Sequence, residues 1–195
     1  MVIAHHIILT GYGHWLPNDP RGSMSHEVHA PRIAELGPLH YGRKEVQPSR
    51  SELRAFHHGA KERLYHPVLW WDDAGRQALA DAIGGVVVRE KLTCYACSVL
   101  RDHVHLLVRK HRLKAQQMSE AFRAAGREQL VRLGMAGDDH PVFSADPCHL
   151  FKSSPQEVRS CVRYIHDNYV KHRLAPVQAS WVVPYDGWPQ REGNP

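Results

Sequence analysis

The sequence predicts an α+β sandwich of the ferredoxin-like type, β-α-β-β-α-β, with an added C-terminal helix and a long insertion after the first strand. Three observations lead to this prediction. A β-branched run opens the chain, two strand patterns in its middle are separated only by Arg101 and Asp102, and helical patterns flank that pair on both sides. The length of 195 residues suits a single domain over 1–195.

The first strand is predicted over Val2–Thr10, because this run is apolar and rich in β-branched residues. From about 12 to 72 the chain is rich in proline and histidine, which is typical of an irregular insertion made of long connections rather than a core. One helix is expected inside it, over 51–65, since Ser49 and Glu52 have the spacing of a capping box.

The remaining elements alternate between helices and strands. In chain order they are a helix from Asp72 or Asp73 to about Lys91, strands over Thr93–Leu100 and His103–Lys110 that form a hairpin, a basic helix over Ala115–Leu133, a short strand at either Val142–Ser144 or Cys148–Lys152, and a helix over Ser154–Leu174. The last helix has the clearest start, because Ser154, Pro155 and Glu157 supply an N-cap, a first-turn proline and a capping box.

The composition is compatible with a polyanionic partner. Lys and Arg number 25 against 20 Asp and Glu, for a net charge of +5, and sixteen histidines add charge where they are protonated. The N-terminus lacks a secretion signal and no segment resembles a membrane span, so a cytoplasmic location is expected. The four cysteines predict reduced thiols; Cys94 and Cys97, three apart on a predicted strand, are expected to point to opposite faces and to be structural.

The strand predicted over 103–110 carries an alternating pair, His103 and His105. Side chains two apart project from the same face of a strand, about 6.6–7 Å apart, so both imidazoles can bind one metal ion. Two polar residues on an exposed face would give the same pattern. The histidine-triad nucleotide hydrolases are disfavoured, because their third histidine would stand at Leu107, and a zinc site that uses Cys148 has no specific spacing in its support.

The last predicted helix carries two tyrosines at different angles. A helical projection groups Tyr169 with Val162 and Ile165, so Tyr169 is expected in the core. Tyr164 lies at the edge of this apolar stripe, and Asn168 follows one turn later on the same side. An amphipathic packing residue would also suit that edge, but the basic residues around it favour a phosphate-binding cleft.

Two motifs in this order resemble a known family. The run 100–108 (Leu-Arg-Asp-His-Val-His-Leu-Leu-Val) and the later run 164–168 (Tyr-Ile-His-Asp-Asn) are similar to the motifs of single-tyrosine HUH transposases, especially the REP-associated tyrosine transposases. The runs 5–10 and 15–22 also resemble the first strand and following loop of that family, so the resemblance covers nearly the whole chain. Tyr169 departs from it, because related transposases usually have proline after the asparagine.

The resemblance implies a bound Mg²⁺ or Mn²⁺ with His103, His105 and Asn168 as ligands, Tyr164 as the nucleophile, and single-stranded DNA with hairpins as the substrate. Attack would give a 5′-phosphotyrosine and a free 3′-hydroxyl. Basic residues near the two motifs are expected to contact the DNA, namely Arg101, Arg109, Lys110, Arg112, Lys152, Arg163 and Lys171. The alternative is a domesticated transposase that binds and regulates DNA without cleaving it. Either protein is expected to be a monomer or a homodimer.

Overall fold

The computed structural model describes residues 1–28 and 30–189, and within them it has four strands and five helices. In chain order these are β1 (Ala4–Thr10), α1 (Pro31–Ala34), α2 (Arg50–Lys61), α3 (Asp73–Arg89), β2 (Cys94–Val99), β3 (His103–Arg109), α4 (Ala115–Arg132), β4 (Cys148–Lys152) and α5 (Pro155–His172). The strands form one sheet in the order β2-β3-β1-β4, and every neighbouring pair is antiparallel. The predicted α+β fold class is therefore confirmed, with the last strand at the second of its two predicted positions.

Helices cover the two faces of the sheet unequally. On one face, α3 packs against β2 and α4 against β1, through a large apolar core that includes Leu9, Ile83 and Phe122. On the other face, α5 packs mainly against β2 and β3, where Val158 and Ile165 are fully buried. A single helix on a four-stranded sheet leaves much of the face over β1 and β4 open.

The start of α5 is fixed by local hydrogen bonds, as its sequence predicts. The Ser154 hydroxyl accepts from the backbone N–H of Glu157, and the Glu157 carboxylate accepts from the backbone N–H of Ser154, both at 3.2 Å. Pro155 occupies the first turn, and Arg173 ends the helix in the left-handed conformation with φ 53°. The buried stripe then sets the rotation of the helix about its axis.

The prediction that Cys94 and Cys97 point to opposite faces is wrong. The pairing of β2 with β3 shifts register between Cys94 and Ala96, and this bulge turns both thiols into the core on the side of α3 and α4. Burial raises the pKa of Cys94 to about 12 and that of Cys97 well above its ordinary value. Both thiols are therefore protonated packing groups, which agrees with their predicted structural role.

The insertion between β1 and α3 is packed, so the prediction of long connections without a core is also wrong. Ile33 of α1 and Phe56 of α2 form a separate apolar cluster with Leu16. The side-chain amide of Asn18, which is buried, donates to the carbonyl oxygen of Ile33 at 2.7 Å and so ties the start of the insertion to α1. α2 begins at the predicted capping box, at Ser49.

The segment after α5 runs back along the outer edge of β2. The backbone N–H of Val183 donates to the carbonyl oxygen of Cys94 at 2.9 Å. Arg76 of α3 is buried and donates to the carbonyl oxygens of Val99 and Ala175, which ties this segment to the core. Among the described residues, no helix has the length and apolar character needed to cross a membrane.

Candidate active site

The two histidines of β3 lie side by side on the sheet face that carries α5. The ring centres of His103 and His105 are 4.8 Å apart, and Nδ1 of His103 is 2.7 Å from Oδ1 of Asp102. Burial alone would raise the pKa of Asp102, but this hydrogen bond and the nearby imidazoles hold it below its ordinary value. A carboxylate at Nδ1 fixes the tautomer of His103 and leaves Nε2 as the atom that can bind a metal.

A third histidine, His6 of β1, belongs to the site although the sequence did not predict it. Its Nε2 is 2.9 Å from Nδ1 of His105, and both side chains are buried. Burial is the main cause that lowers the pKa of His105 to about 2 and that of His6 to about 4, with further lowering by neighbouring positive groups. Both rings are therefore neutral at pH 7, the form that binds metals, and His6 orients His105 as Asp102 orients His103.

Tyr164 of α5 lies against this histidine cluster. Its ring centre is 5.5 Å from that of His105 and 6.0 Å from that of His6, edge to face in both cases. The side chain is 45% exposed, so a substrate can reach it. Lys171 lies beside it, with Nζ 4.9 Å from the ring centre. Tyr169, in contrast, is buried as predicted.

Asn168 lies on α5 one turn from Tyr164 and one turn from His172, another histidine that was not predicted. The ring centres of His172 and His103 are 5.7 Å apart, so this face of α5 is turned to the histidine pair. Asn168 is only 4% exposed, and its Nδ2 has no hydrogen-bond partner among the described residues. The buried Ser98 hydroxyl, on the same sheet face, also has no partner there. Both groups can donate, so a hydrogen-bond acceptor on a bound molecule would satisfy them.

Two imidazoles and one amide are side chains of the kinds that bind a divalent metal. The second nitrogens of His103 and His105 are oriented by their neighbours, and Asn168, on the facing helix, would coordinate through its side-chain oxygen. Across residues 1–28 and 30–189, no three His, Cys, Asp or Glu side chains form a ligand group. The alternative of a zinc site with Cys148 therefore lacks a ligand set. Mg²⁺ or Mn²⁺ remains a prediction, since imidazole and amide donors do not select one metal.

An open groove runs between α5 and the edge strand β4, and Tyr164 stands in its middle. One part, of about 630 Å³, is lined by His6, Leu150 and Lys152. The other part, of about 520 Å³, lies between the histidine pair and the insertion. Ile8 and Tyr164 line both parts, so the two adjoin along β1.

Four of the predicted DNA-binding residues lie near Tyr164 and the histidine pair. Lys152 lines the groove, and Lys171 contacts the ring of Tyr164. Arg163 is exposed on α5, and Arg101 is exposed in the turn that precedes His103. Of the four, Lys152 and Lys171 are the two whose side chains lie in the groove or against the Tyr164 ring.

The other three predicted DNA-binding residues lie at the far end of β3. Arg109 is about 20 Å along β3 from His103 and about 13 Å from His105, at about 3.3 Å per strand residue, and Lys110 and Arg112 follow further on. The guanidinium of Arg109 lies 4.0 Å from the ring centre of Trp188 and 3.9 Å from a carboxylate of the C-terminal segment. The structure therefore does not bring these three residues to the tyrosine.

Comparisons with known proteins give matches only among solved structures. No family model matches the chain, and no curated protein matches its sequence. A REP-associated tyrosine transposase bound to a REP hairpin is similar with a TM-score of 0.47 and 13% identity, over 92% of this chain and 70% of that one. A transposase candidate from Deinococcus radiodurans R1 is similar with a TM-score of 0.40 and 14% identity, over 90% of this chain and 93% of that one.

The first of these neighbours is a transposase, and the second is a transposase candidate. They are the class of protein that the two sequence motifs resemble. Their TM-scores lie below 0.5, so the chemistry of the site is inferred from its own geometry.

Proposed function

We propose that this protein is a metal-dependent enzyme that cleaves single-stranded DNA and joins strands through a covalent tyrosine link. The observation that supports this function is the position of Tyr164, half-exposed in an open groove and in contact with the buried His105. His103, His105 and Asn168 would hold Mg²⁺ or Mn²⁺, which when bound supplies positive charge to a phosphate and orients it. The resemblance of the motifs adds the expectation that the DNA contains hairpins.

Tyr164 is the nucleophile in this proposal. Its phenol oxygen forms a bond to the phosphorus, while the bond between the phosphorus and the 3′ oxygen of the preceding nucleotide breaks. The phenol proton passes to water, and the leaving 3′ oxygen takes up a proton. The products are a 5′-phosphotyrosine and a free 3′-hydroxyl. Because the tyrosine ester retains the energy of the phosphodiester, a 3′-hydroxyl can reverse the step and join strands without ATP.

The neighbours of these residues hold them in position. Asp102 keeps the His103 imidazole in one tautomer and orientation, and His6 holds the orientation of the His105 imidazole. Lys152, which lines the groove, and Lys171, beside the Tyr164 ring, can bind the phosphates next to the attacked one. Fixed positions for nucleophile and phosphate lower the entropic part of the barrier.

The test compares the two tyrosines of α5. Tyr164→Phe is expected to bind labelled single-stranded DNA normally and to form no covalent adduct, whereas Tyr169→Phe is the matched control and still forms it. The substrates are hairpin-containing oligonucleotides from the flanks of the gene, with and without Mn²⁺, on a denaturing gel. An adduct that survives in Tyr164→Phe and vanishes in Tyr169→Phe would refute the assignment. Tight binding without any adduct in the wild type would instead favour the non-cleaving regulator.

A further inference from the structure

Trp15 stands five residues after the end of β1, where the insertion begins. It lines the insertion part of the groove together with His103, His105 and Tyr164. Its side chain is 42% exposed. A large indole that contacts water in a concave site is a common carrier of binding energy. The cleavage chemistry does not use Trp15, so its position requires a separate explanation.

The indole is held in place before any ligand binds. Its Nε1 donates to the carbonyl oxygen of Gly22 at 3.1 Å, and the Arg21 guanidinium lies 3.8 Å from its ring centre. Gly22 has φ +88°, and a Cβ there would lie 2.0 Å from the carbonyl oxygen of Gly42, so only glycine fits. A side chain that is already ordered loses little entropy when a ligand binds to it.

Arg21 is fixed in turn by Asp19, which is 1% exposed. Nε and Nη2 of Arg21 donate to the two carboxylate oxygens at 2.8 and 2.7 Å. This bidentate pair compensates the charge of the guanidinium. Arg21 therefore serves as a stacking support for Trp15 rather than as an anchor for phosphate.

On the Trp15 side of the groove, Asp146 is a second acidic group besides Asp102, whose carboxylate is hydrogen-bonded to His103. The Asp146 carboxylate can accept a hydrogen bond from the amino group of a base. Lys152 lines the opposite part. A DNA strand that passes Tyr164 thus meets a lysine on one side and an aromatic, acidic surface on the other.

We propose that Trp15 is a stacking platform for one unpaired base of the DNA, next to the phosphate that Tyr164 attacks. The inference rests on the proposed function in taking single-stranded DNA as the substrate. Every base has a π face that can stack on an indole, and one stacked base typically changes affinity by about 10-fold or more. A duplex hides these faces, so the platform would select single strands at the cleavage site.

The test measures binding of short single-stranded oligonucleotides in which one base at a time is replaced by an abasic site. All proteins carry Tyr164→Phe, so that the DNA stays intact. With Trp15 present, the abasic site at one position next to the cleavage site should weaken binding about 10-fold. With Trp15→Ala, the intact DNA should bind about 10-fold more weakly, and removal of that base should have no further effect. With Trp15→Phe, the abasic site should still cause most of the loss of affinity that it causes with Trp15.

Trp70→Ala is the matched control, because Trp70 is even more exposed, at 67%, but lies outside the residues that line the groove. It should retain the pattern of the parent protein, and thermal melting checks that Trp15→Ala is folded. An equal abasic penalty with and without Trp15, or no sensitive position at all, would overturn the platform. If a sensitive position is found but the wild-type protein forms no adduct in the cleavage assay, the platform is supported and only the cleavage function is overturned.

Discussion

At the scale of single residues, His6 has a role that can be measured without any cleavage assay. We expect His6→Ala to weaken Mn²⁺ binding by about 10-fold or more, because the partner of a metal-binding imidazole typically has an effect of that size. His6→Gln keeps a hydrogen-bonding group and should restore most of the affinity. Calorimetric titration with Mn²⁺ measures both.

His5→Ala is the control for this titration. The side chain of His5 points to the other face of the sheet, where its ring contacts Phe151 at 5.6 Å between centres. Equal Mn²⁺ affinities of His6→Ala and the wild type would contradict the orienting role of His6.

The two tyrosines could be distinguished from the sequence, whereas His6 could not be found. Helical periodicity is a local property, so a projection of residues 154–174 was enough to separate buried Tyr169 from half-exposed Tyr164. The contact of His6 with His105 joins residues 99 positions apart and depends on the register of β1 against β3. No local pattern encodes that register.

At the scale of elements, the docking of α5 on β2 determines where Tyr164 stands. The Tyr169 hydroxyl accepts a hydrogen bond from the backbone N–H of Val99 at 3.1 Å. Tyr169→Phe leaves this buried N–H without its side-chain acceptor, so we expect the free energy of unfolding to fall by about 1–3 kcal/mol. Urea denaturation measures the loss, and adduct formation should persist in the folded protein.

Val170→Ala is the control for Tyr169→Phe, because Val170 is the next residue of α5 and its side chain is exposed. It should change the unfolding free energy by less than about 0.5 kcal/mol. Loss of the adduct in Tyr169→Phe at unchanged stability would mean that the docking interpretation is wrong.

Caps and periodicity in the sequence were enough to predict these helices and strands. Two features of how they pack could not be predicted in this way. The bulge that turns Cys94 and Cys97 to one face depends on the cross-strand partner of β2, which no three-residue spacing shows. The small core of the insertion depends on contacts between α1, α2 and Leu16, and its proline-rich sequence has no clear period. Local signals therefore predicted where elements lie, and long-range contacts decided which faces they bury.

At the scale of the whole molecule, positive charge is divided between the two faces of the sheet. The basic helix α4 lies on the face away from Tyr164. Its Arg123 and Arg127 donate to the carbonyl oxygens of Ala145 and His140, so they stabilise the loop before β4. The charges available to a DNA strand in the groove are instead those near α5 and β4.

This division predicts the salt dependence of DNA binding. Replacing Lys152 and Lys171 by glutamine should flatten the slope of log affinity against log salt by up to about 1.4, at about 0.7 per phosphate contact on a single strand. Fluorescence anisotropy over a series of salt concentrations measures the slope. Arg89→Gln with Arg132→Gln, which removes two charges from α3 and α4, is the control and should leave it unchanged.

An unchanged slope in the lysine variant would mean that both lysines merely face solvent. The same measurement tests the predicted contacts of Arg109 and Lys110, whose joint removal should also flatten the slope if the strand extends to the far end of β3.

The insertion leaves the sheet directly after β1, the strand that carries His6. The insertion forms one wall of the groove and β1 forms part of its floor, so the two are consecutive in the chain. They are held by different cores, because the insertion packs around Leu16 and Phe56, whereas the sheet packs on α3 and α4. Under the proposed function, changes in the insertion should alter which DNA is accepted and leave the joining reaction intact. Descendants of such a protein would then acquire new targets without having to evolve a new catalyst.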